Sequence, residues 1–306
     1  MQSPIQPGLV LRYAQATLTN ACFKATLQIT PKAAPPRMNP PIHTLLLTGA
    51  AGFLGRHLAP DLLGMAQHLR LSDLAAPLAQ ATLPAQAQRV ACDLGDAAAV
   101  LDLLQGVDAV VHLGGVAVEG PWAPILQANI CGLHNLYEAA RRKGVKRVVF
   151  ASSNHVTGCY PQAQTVNPTE PARPDGNYGL SKLFGEGIAS LYWDRYGIES
   201  VCIRIGTATP TPPDRRALAT WLSLPDLLRM VKASLTAPDV GFLVAYGISA
   251  NTRRFYECAQ AWQRLGYVPQ DNAEDHAPQV EHLCLPEGPQ RDLQGGKFLA
   301  VGPFDS

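Results

Sequence analysis

An α/β fold wound on both faces of a parallel sheet is predicted by three features of the 306-residue sequence. From Thr44 onward, short β-rich runs alternate with helical periods, the pattern of successive β-α-β units. The first run passes through a glycine-spaced turn directly into a helix. Hydrophobic residues make up 47% and charged residues 16%, which supplies enough apolar material for one large core.

The elements follow in order. Leu45-Leu46-Leu47, flanked by Thr44 and Thr48, reads as a strand covered on both faces, because buried parallel strands form continuous apolar runs. Comparable runs are His68 to Ser72, Arg89 to Cys92, Ala109 to Leu113, Arg147 to Ser152 and Ser200 to Ile205. Helical stretches lie after Gly52, from Asp96 to Gln105, from Ile125 to Lys143 and from Tyr178 to Tyr196. Pro60 is expected to end or bend the first helix, since proline removes a backbone donor and crowds the preceding turn. Beyond Gly206 the pattern loosens into a helix over Asp226 to Leu235, a strand over Phe242 to Tyr246 and a helix over Thr252 to Leu265. Residues 207–306 are expected to form a small substrate-binding cap on a single domain spanning 38–306. Residues 1–37, rich in Gln, Thr, Ala and Pro, are expected to be a disordered extension, with Met38 as the natural start.

Composition narrows the function. Lys plus Arg number 25 against 24 Asp plus Glu, a balance unlike that of a dedicated nucleic-acid binder. No apolar run approaches the roughly 20 residues needed to cross a bilayer. Seven scattered cysteines lack metal-ligand spacing and are expected to be buried apolar filler in a cytoplasmic protein without structural metal. A homo-oligomer is expected, and Tyr192, Trp193 and Tyr196 read as core or subunit interface. Arg141-Arg142-Lys143 reads as a helix C-terminus that complements the dipole.

Gly49-Ala50-Ala51-Gly52-Phe53-Leu54-Gly55 has G-x-x-G-x-x-G spacing between a strand and a helix. Such glycines allow a tight turn, close backbone approach to a pyrophosphate and close helix–strand packing, and the helix N-terminus favours anions. Asp73, at the end of the second strand, suits ribose hydroxyls and would repel a 2′-phosphate, which favours NAD over NADP. Arg70 nearby is the one group that could receive such a phosphate. Asp93 and Leu94 after the third strand suit the adenine, and Leu113-Gly114-Gly115 after the fourth permits close cofactor approach. His112 is expected to pack beneath the cofactor without a catalytic role.

Tyr178 and Lys182 share a helix face at i, i+4, and Ser152-Ser153-Asn154-His155 leaves the C-terminal end of a strand, where ligands bind in open α/β sheets. Together with Thr48 to Gly55, Leu113 to Gly115 and Asn129, these residues resemble the extended short-chain dehydrogenase/reductase superfamily, of Rossmann type. That resemblance implies Tyr178 as general base, Lys182 as its activator and ribose ligand, Ser153 as a hydrogen-bond partner of the reacting oxygen, and Asn129 within the cofactor site. A unit charge at ~4 Å is worth ~4 kcal/mol at an effective dielectric of ~20. Up to ~3 units could thus come off a tyrosine pKa of ~10 and bring Tyr178 near neutrality.

Longer strings carry a closer resemblance. His112 to Glu119, Phe150 to His155, Pro171 to Gly179, Asp271 to Glu274 and Leu293 to Phe298 are similar to the uronate dehydrogenase family. That family oxidises C1 of cyclic glucuronate or galacturonate with NAD, leaving an aldarolactone. The resemblance implies that Ser153, Asn154 and His155 contact sugar hydroxyls, that Thr207 stands where the family has a serine, and that Arg216 holds the substrate carboxylate. A planar guanidinium suits that task. Ala117 stands where the family's pattern has a substrate-binding serine, so one hydroxyl contact is missing. Two other readings are a nucleotide-sugar epimerase or dehydratase with bound NAD, and a non-catalytic NAD sensor.

Overall fold

A computed structural model describes residues 41–304 of the chain. The expectations for residues 1–37, for Met38 and for Cys22 fall outside the described residues. The chain opens with β1 (Thr44–Thr48), α1 (Phe53–Leu62), β2 (His68–Asp73), α2 (Ala75–Gln80), β3 (Gln88–Ala91), α3 (Ala97–Leu103) and β4 (Ala109–His112). It continues with α4 (Trp122–Ile125), α5 (Gly132–Lys143), β5 (Arg147–Ser153), α6 (Asn177–Tyr196) and β6 (Glu199–Ile205). The last third holds β7 (Thr207–Ala208), α7 (Ala217–Thr220), β8 (Trp221–Leu222), α8 (Leu224–Thr236), β9 (Phe242–Gly247) and α9 (Ala259–Leu265).

Seven strands form one sheet in the order β3-β2-β1-β4-β5-β6-β9, all parallel, as predicted. The alternation of side chains along β1 sorts the helices into two layers. Leu45 and Leu47 pack with Leu58 and Leu62 of α1 and with Leu227 and Met230 of α8. Leu46 points the other way, into Leu103 of α3, Leu136 of α5 and Ile188 of α6. The strand order reverses between β1 and β4, which opens the crevice at the strands' C-terminal ends.

Several local expectations give way to longer-range forces. Pro60 lies inside α1, which runs on to Leu62 and a 3-10 turn over Leu63–Met65. The proline sits in the last turn, and Leu58, Ala59 and Leu62 around it are buried. The single helix expected over Ile125 to Lys143 is interrupted by a π-helical turn, Leu126–Cys131. The helix expected from Thr252 starts only at Ala259, because Tyr256 bridges to Val166 and Glu257 N–H donates to the Val166 carbonyl. Residues 207–306 are not all cap: β9 extends the main sheet, and α8 packs into its core.

Cys92, Cys202 and Cys258 are buried as expected, whereas Cys131 and Cys284 are exposed. Tyr192 belongs to the core against Tyr137, while Trp193 and Tyr196 are exposed. Arg141 and Arg142 pair with Glu138, and Gly144 closes α5 in a left-handed conformation.

Candidate active site

The turn after β1 is built almost entirely of backbone. Gly49 has φ +70° and presses against the chain leaving β4, where an added Cβ would come within 2.7 Å of Gly114 N. A Cβ on Gly55 would collide with the Gly49 carbonyl, so α1 can start this close to β1 only with glycine there. The Asp73 carboxylate tightens the turn, accepting from Ala51 N–H at 2.9 Å and Leu74 N–H at 2.8 Å. Arg70 faces elsewhere: its guanidinium donates to Gln88 and to the Leu103 and Gln105 carbonyls.

Gly49, Gly52, Phe53, Leu54, Gly55, Asp73, Leu113, Gly114 and Gly115 line one cavity of about 760 Å³. Three residues expected in the cofactor site do not line it. Asp93 accepts from Gly95 N–H at 2.8 Å, and Leu94 stands behind Gly114. Asn129 lies buried in the π-helical turn, accepts from Val116 N–H, and donates to the Val116 carbonyl and to Ser181 Oγ. Both of its amide hydrogens are therefore engaged in tying the loop after β4 to α6.

The same cavity reaches Ala117, Ser153, Asn154, His155, Tyr178, Lys182, Thr207 and Arg216. Strand β5 delivers Ser153, and a 3-10 turn over Asn154–Thr157 follows it. Ser153 Oγ accepts from His155 N–H at 3.2 Å, and its hydroxyl acts on the Tyr178 phenol by favouring the charged form. Glu119 fixes where α6 begins, accepting from Asn177 N–H at 3.0 Å and Tyr178 N–H at 2.9 Å. That anchor comes from 58 and 59 residues away and satisfies donors every helix start leaves open.

Lys182 Nζ sits 5.1 Å from the Phe150 ring centre and 5.4 Å from that of Tyr178. Burial lowers the Lys182 ammonium to about 8. Burial pushes the Tyr178 phenol up to about 12, against the opposing hydrogen bond from Ser153. The expected fall of Tyr178 toward neutrality is thus reversed in the chain by itself. Both side chains are buried, so desolvation of the charged forms dominates. His112 is neutral beneath them, lowered to about 3 by burial and by Lys182, with Nδ1 2.7 Å from Thr48 Oγ1.

The far end of the cavity gathers distant segments. Arg216 donates through Nε and Nη2 to the Gln294 carbonyl, while its neighbour Arg215 turns outward to Glu281. The Asn154 amide fits with its oxygen toward Arg216 Nη2 at 3.0 Å and its nitrogen toward the Ile205 carbonyl at 3.1 Å. Thr207 Oγ1 meets Thr220 Oγ1 at 2.8 Å, on the two-residue pairing of β7 with β8. Phe298, not singled out in the sequence, stacks on the His155 ring with centres 3.9 Å apart. Asp175, also unsuspected, holds His155 Nδ1 at 2.6 Å. Among the described residues no group of three His, Cys, Asp or Glu is placed to hold a metal ion, and no helix is long and apolar enough to cross a membrane.

Comparison with known proteins places this architecture. Residues 45–218 match the NAD dependent epimerase/dehydratase family. A uronate dehydrogenase of Pseudomonas syringae pv. tomato is 50% identical over 266 residues, 86% of this chain and 96% of that protein. The crystal structure of a glucuronic acid dehydrogenase from Chromohalobacter salexigens superimposes with a TM-score of 0.81 at 47% identity, covering 85% of this chain and 98% of that one. A mutant uronate dehydrogenase from Agrobacterium tumefaciens, complexed with NAD, gives a TM-score of 0.81 at 43% identity, covering 86% and 99%. With half of the aligned residues identical across 86% of this chain and 96% of that relative, and the same fold in the solved structures, the chain belongs to the uronate dehydrogenase family of NAD-dependent oxidoreductases.

Proposed function

We propose that the chain oxidises the C1 hydroxyl of a cyclic hexuronic acid, D-glucuronate or D-galacturonate, to the aldarolactone. The observation that carries this reading is that Ser153, Tyr178 and Lys182 share one cavity with a glycine cradle and with Arg216. The cradle fits a dinucleotide: Gly49 and Gly55 let β1, α1 and the chain leaving β4 pack so closely that the bare turn itself lines the cavity. Gly49, Gly52 to Gly55 and Gly114-Gly115 hold the pyrophosphate side, Asp73 takes the ribose hydroxyls, and Lys182 takes the nicotinamide ribose. With Arg70 committed to carbonyls, that cation is not free to offset a 2′-phosphate beside the Asp73 carboxylate, which supports NAD over NADP.

When bound, NAD accepts the hydride released from C1. Tyr178 removes the proton of the anomeric hydroxyl, and Ser153 donates a hydrogen bond to the same oxygen as charge develops there. Because the ring stays closed, the product is a lactone. The Gln294 carbonyl occupies Nε and Nη2 of Arg216, which leaves Nη1 to take the substrate carboxylate. Asn154, His155 and Thr207 contact the sugar hydroxyls, and Ala117 leaves one contact unmade. Asn129 holds the loop after β4 on α6, and Leu94 backs that loop at Gly114. The cap is built from residues 207–222 and the segment ending at Phe298.

A nucleotide-sugar epimerase or dehydratase is not favoured, because relatives covered almost end to end are uronate dehydrogenases. A silent sensor is not favoured either, since Ser153, Tyr178 and Lys182 are all present and line one cavity. A homo-oligomer goes with the same reading, supported by the exposed Trp193, Tyr196, Leu191 and Leu180 on α6, and a cytoplasmic location is part of the proposal. The test is growth of NADH absorbance with each uronate, with glucose, galactose and NADP as controls. A rate on the uronates alone is expected, and equal rates on the neutral sugars would defeat the carboxylate contact.

A further inference from the structure

Asp175 is the most expensive side chain in the site. Its carboxylate is fully buried, and one oxygen, Oδ1, has no hydrogen-bond partner. An unpaired buried acceptor is destabilising, so such a group calls for a reason. Space for it is made deliberately: a Cβ on Gly158 or on Gly295 would collide with Oδ2. These two glycines also bond to each other, Gly295 N–H donating to the Gly158 carbonyl at 2.8 Å, so the cage joins the C-terminal segment to the turn after β5.

Among the described residues, the one side chain that hydrogen-bonds this carboxylate is His155, Nδ1 to Oδ2 at 2.6 Å. Three contacts then fix the ring. Phe298 covers one face at an interplanar angle of 8°, the Tyr178 ring meets it edge-on with centres 5.8 Å apart, and Asp175 holds Nδ1. The other nitrogen, Nε2, has no hydrogen-bond partner among the described residues, and His155 lines the cavity.

We infer that Asp175 is a positioning residue that sets which way His155 can hydrogen-bond the substrate. A carboxylate is an acceptor only, so Nδ1 carries the ring proton, and Nε2 of the neutral imidazole presents a lone pair to the cavity. His155 therefore accepts from a sugar hydroxyl and does not donate to one. The sugar must turn an O–H toward β5, which helps decide the face that C1 shows to the cofactor. This inference rests on the uronate reading for the identity of the hydroxyl and on the structure alone for the tautomer.

Two measurements on the full chain test it. A long-range ¹H–¹⁵N spectrum of histidine-labelled protein, with His155 assigned through His155→Gln, is expected to show Nδ1 protonated and Nε2 bare. A ring protonated on Nε2, as the other tautomer or as the cation, overturns the inference without any Asp175 variant. Asp175→Asn offers an amide N–H to Nδ1 and should move the proton to Nε2. Its kcat/KM for uronates should fall roughly ten- to a hundredfold, the usual loss when the outer partner of a functional histidine is removed, while NADH affinity holds. Unchanged kcat/KM, or an unmoved tautomer in the folded variant, overturns it. A wild-type chain that oxidises no uronate defeats the substrate reading instead, and the wild-type spectrum still judges Asp175.

Discussion

Between β1 and β4 the cavity wall is mainly backbone, packed so closely that a side chain at Gly49 or Gly55 would strike main-chain atoms. At the other end it is side chains drawn from the β5 turn, the start of α6, the loop before α7 and the last residues of the structure. In the first region the glycine turn itself is one continuous run and meets a single other segment, the chain leaving β4, whereas the second is assembled from contacts such as Arg216 to Gln294 across 78 residues. A wall of backbone can serve any substrate that shares the cofactor, whereas a wall of side chains can be exchanged one residue at a time. Specificity is therefore expected to sit at the second end, with chemistry at the seam where Tyr178 meets Ser153.

The seam gives the largest effect. Tyr178→Phe removes the proton acceptor and should lower kcat by about 10²- to 10⁴-fold with NADH affinity retained, as read by steady-state rates and NADH fluorescence. The wild-type pH profile sharpens the same point. With Tyr178 pushed up to about 12, its reactive anion grows about tenfold per pH unit, so kcat/KM should rise with pH. The rise should flatten above about 8, where the buried Lys182 loses its charge. A profile flat from pH 6 upward would show that another group takes the proton.

Next comes the backbone end. In Gly55→Ala the new methyl meets the Gly49 carbonyl and the main chain of Ala50, so the turn must open. A misplacement of ~1 Å in a positioning element costs on the order of 10²-fold, and the loss should appear first in NADH affinity. Normal NADH binding by this variant would remove the distinction between the two walls.

The same contrast explains what could be read from the sequence. Glycine at positions 49, 52 and 55 is a local demand of backbone geometry, and the Leu45–Leu47 run already announces a strand buried on both faces. Tyr178 and Lys182 stay legible because helix periodicity alone places them together. Glu119, Asp175 and Phe298 carry no such mark: each gains its role from a partner 20 or more residues away, and a lone acid or phenylalanine in a loop looks ordinary. Asn129, Asp93 and Leu94 show the converse, since a motif's order along the chain names the neighbourhood but not which atoms face the cavity. The reversal of Tyr178's pKa was hidden for a related reason: charge pairs can be counted in a sequence, but burial of both partners cannot.

At the side-chain end, Arg216→Gln tests whether the carboxylate contact decides the substrate. Losing a charge-assisted hydrogen bond of about 1.5–3 kcal/mol should cut kcat/KM for uronates roughly 10- to 150-fold, leaving NADH affinity in place. The preference for uronates over the matching neutral sugars should shrink by the same factor. A variant that stays as selective as wild type would move the carboxylate away from Arg216, to Lys297 beside Asp214 as the other cation lining the cavity there.

The smallest change probes a contact that is missing. Ala117 lines the cavity on the loop that Asn129 holds against α6 through both polar groups of Val116. A hydroxyl placed there by Ala117→Ser stands on a tethered backbone, so little ordering is required for it to meet a sugar hydroxyl. One neutral hydrogen bond contributes about 0.5–1.5 kcal/mol net, and KM for the preferred uronate should fall roughly two- to twelvefold with kcat nearly constant. Because the serine touches the sugar and not the dinucleotide, KM for NAD should not follow. A drop in both constants would mean that the loop after β4 serves the two ends of the cavity together, and the boundary between backbone wall and side-chain wall would then lie beyond Ala117.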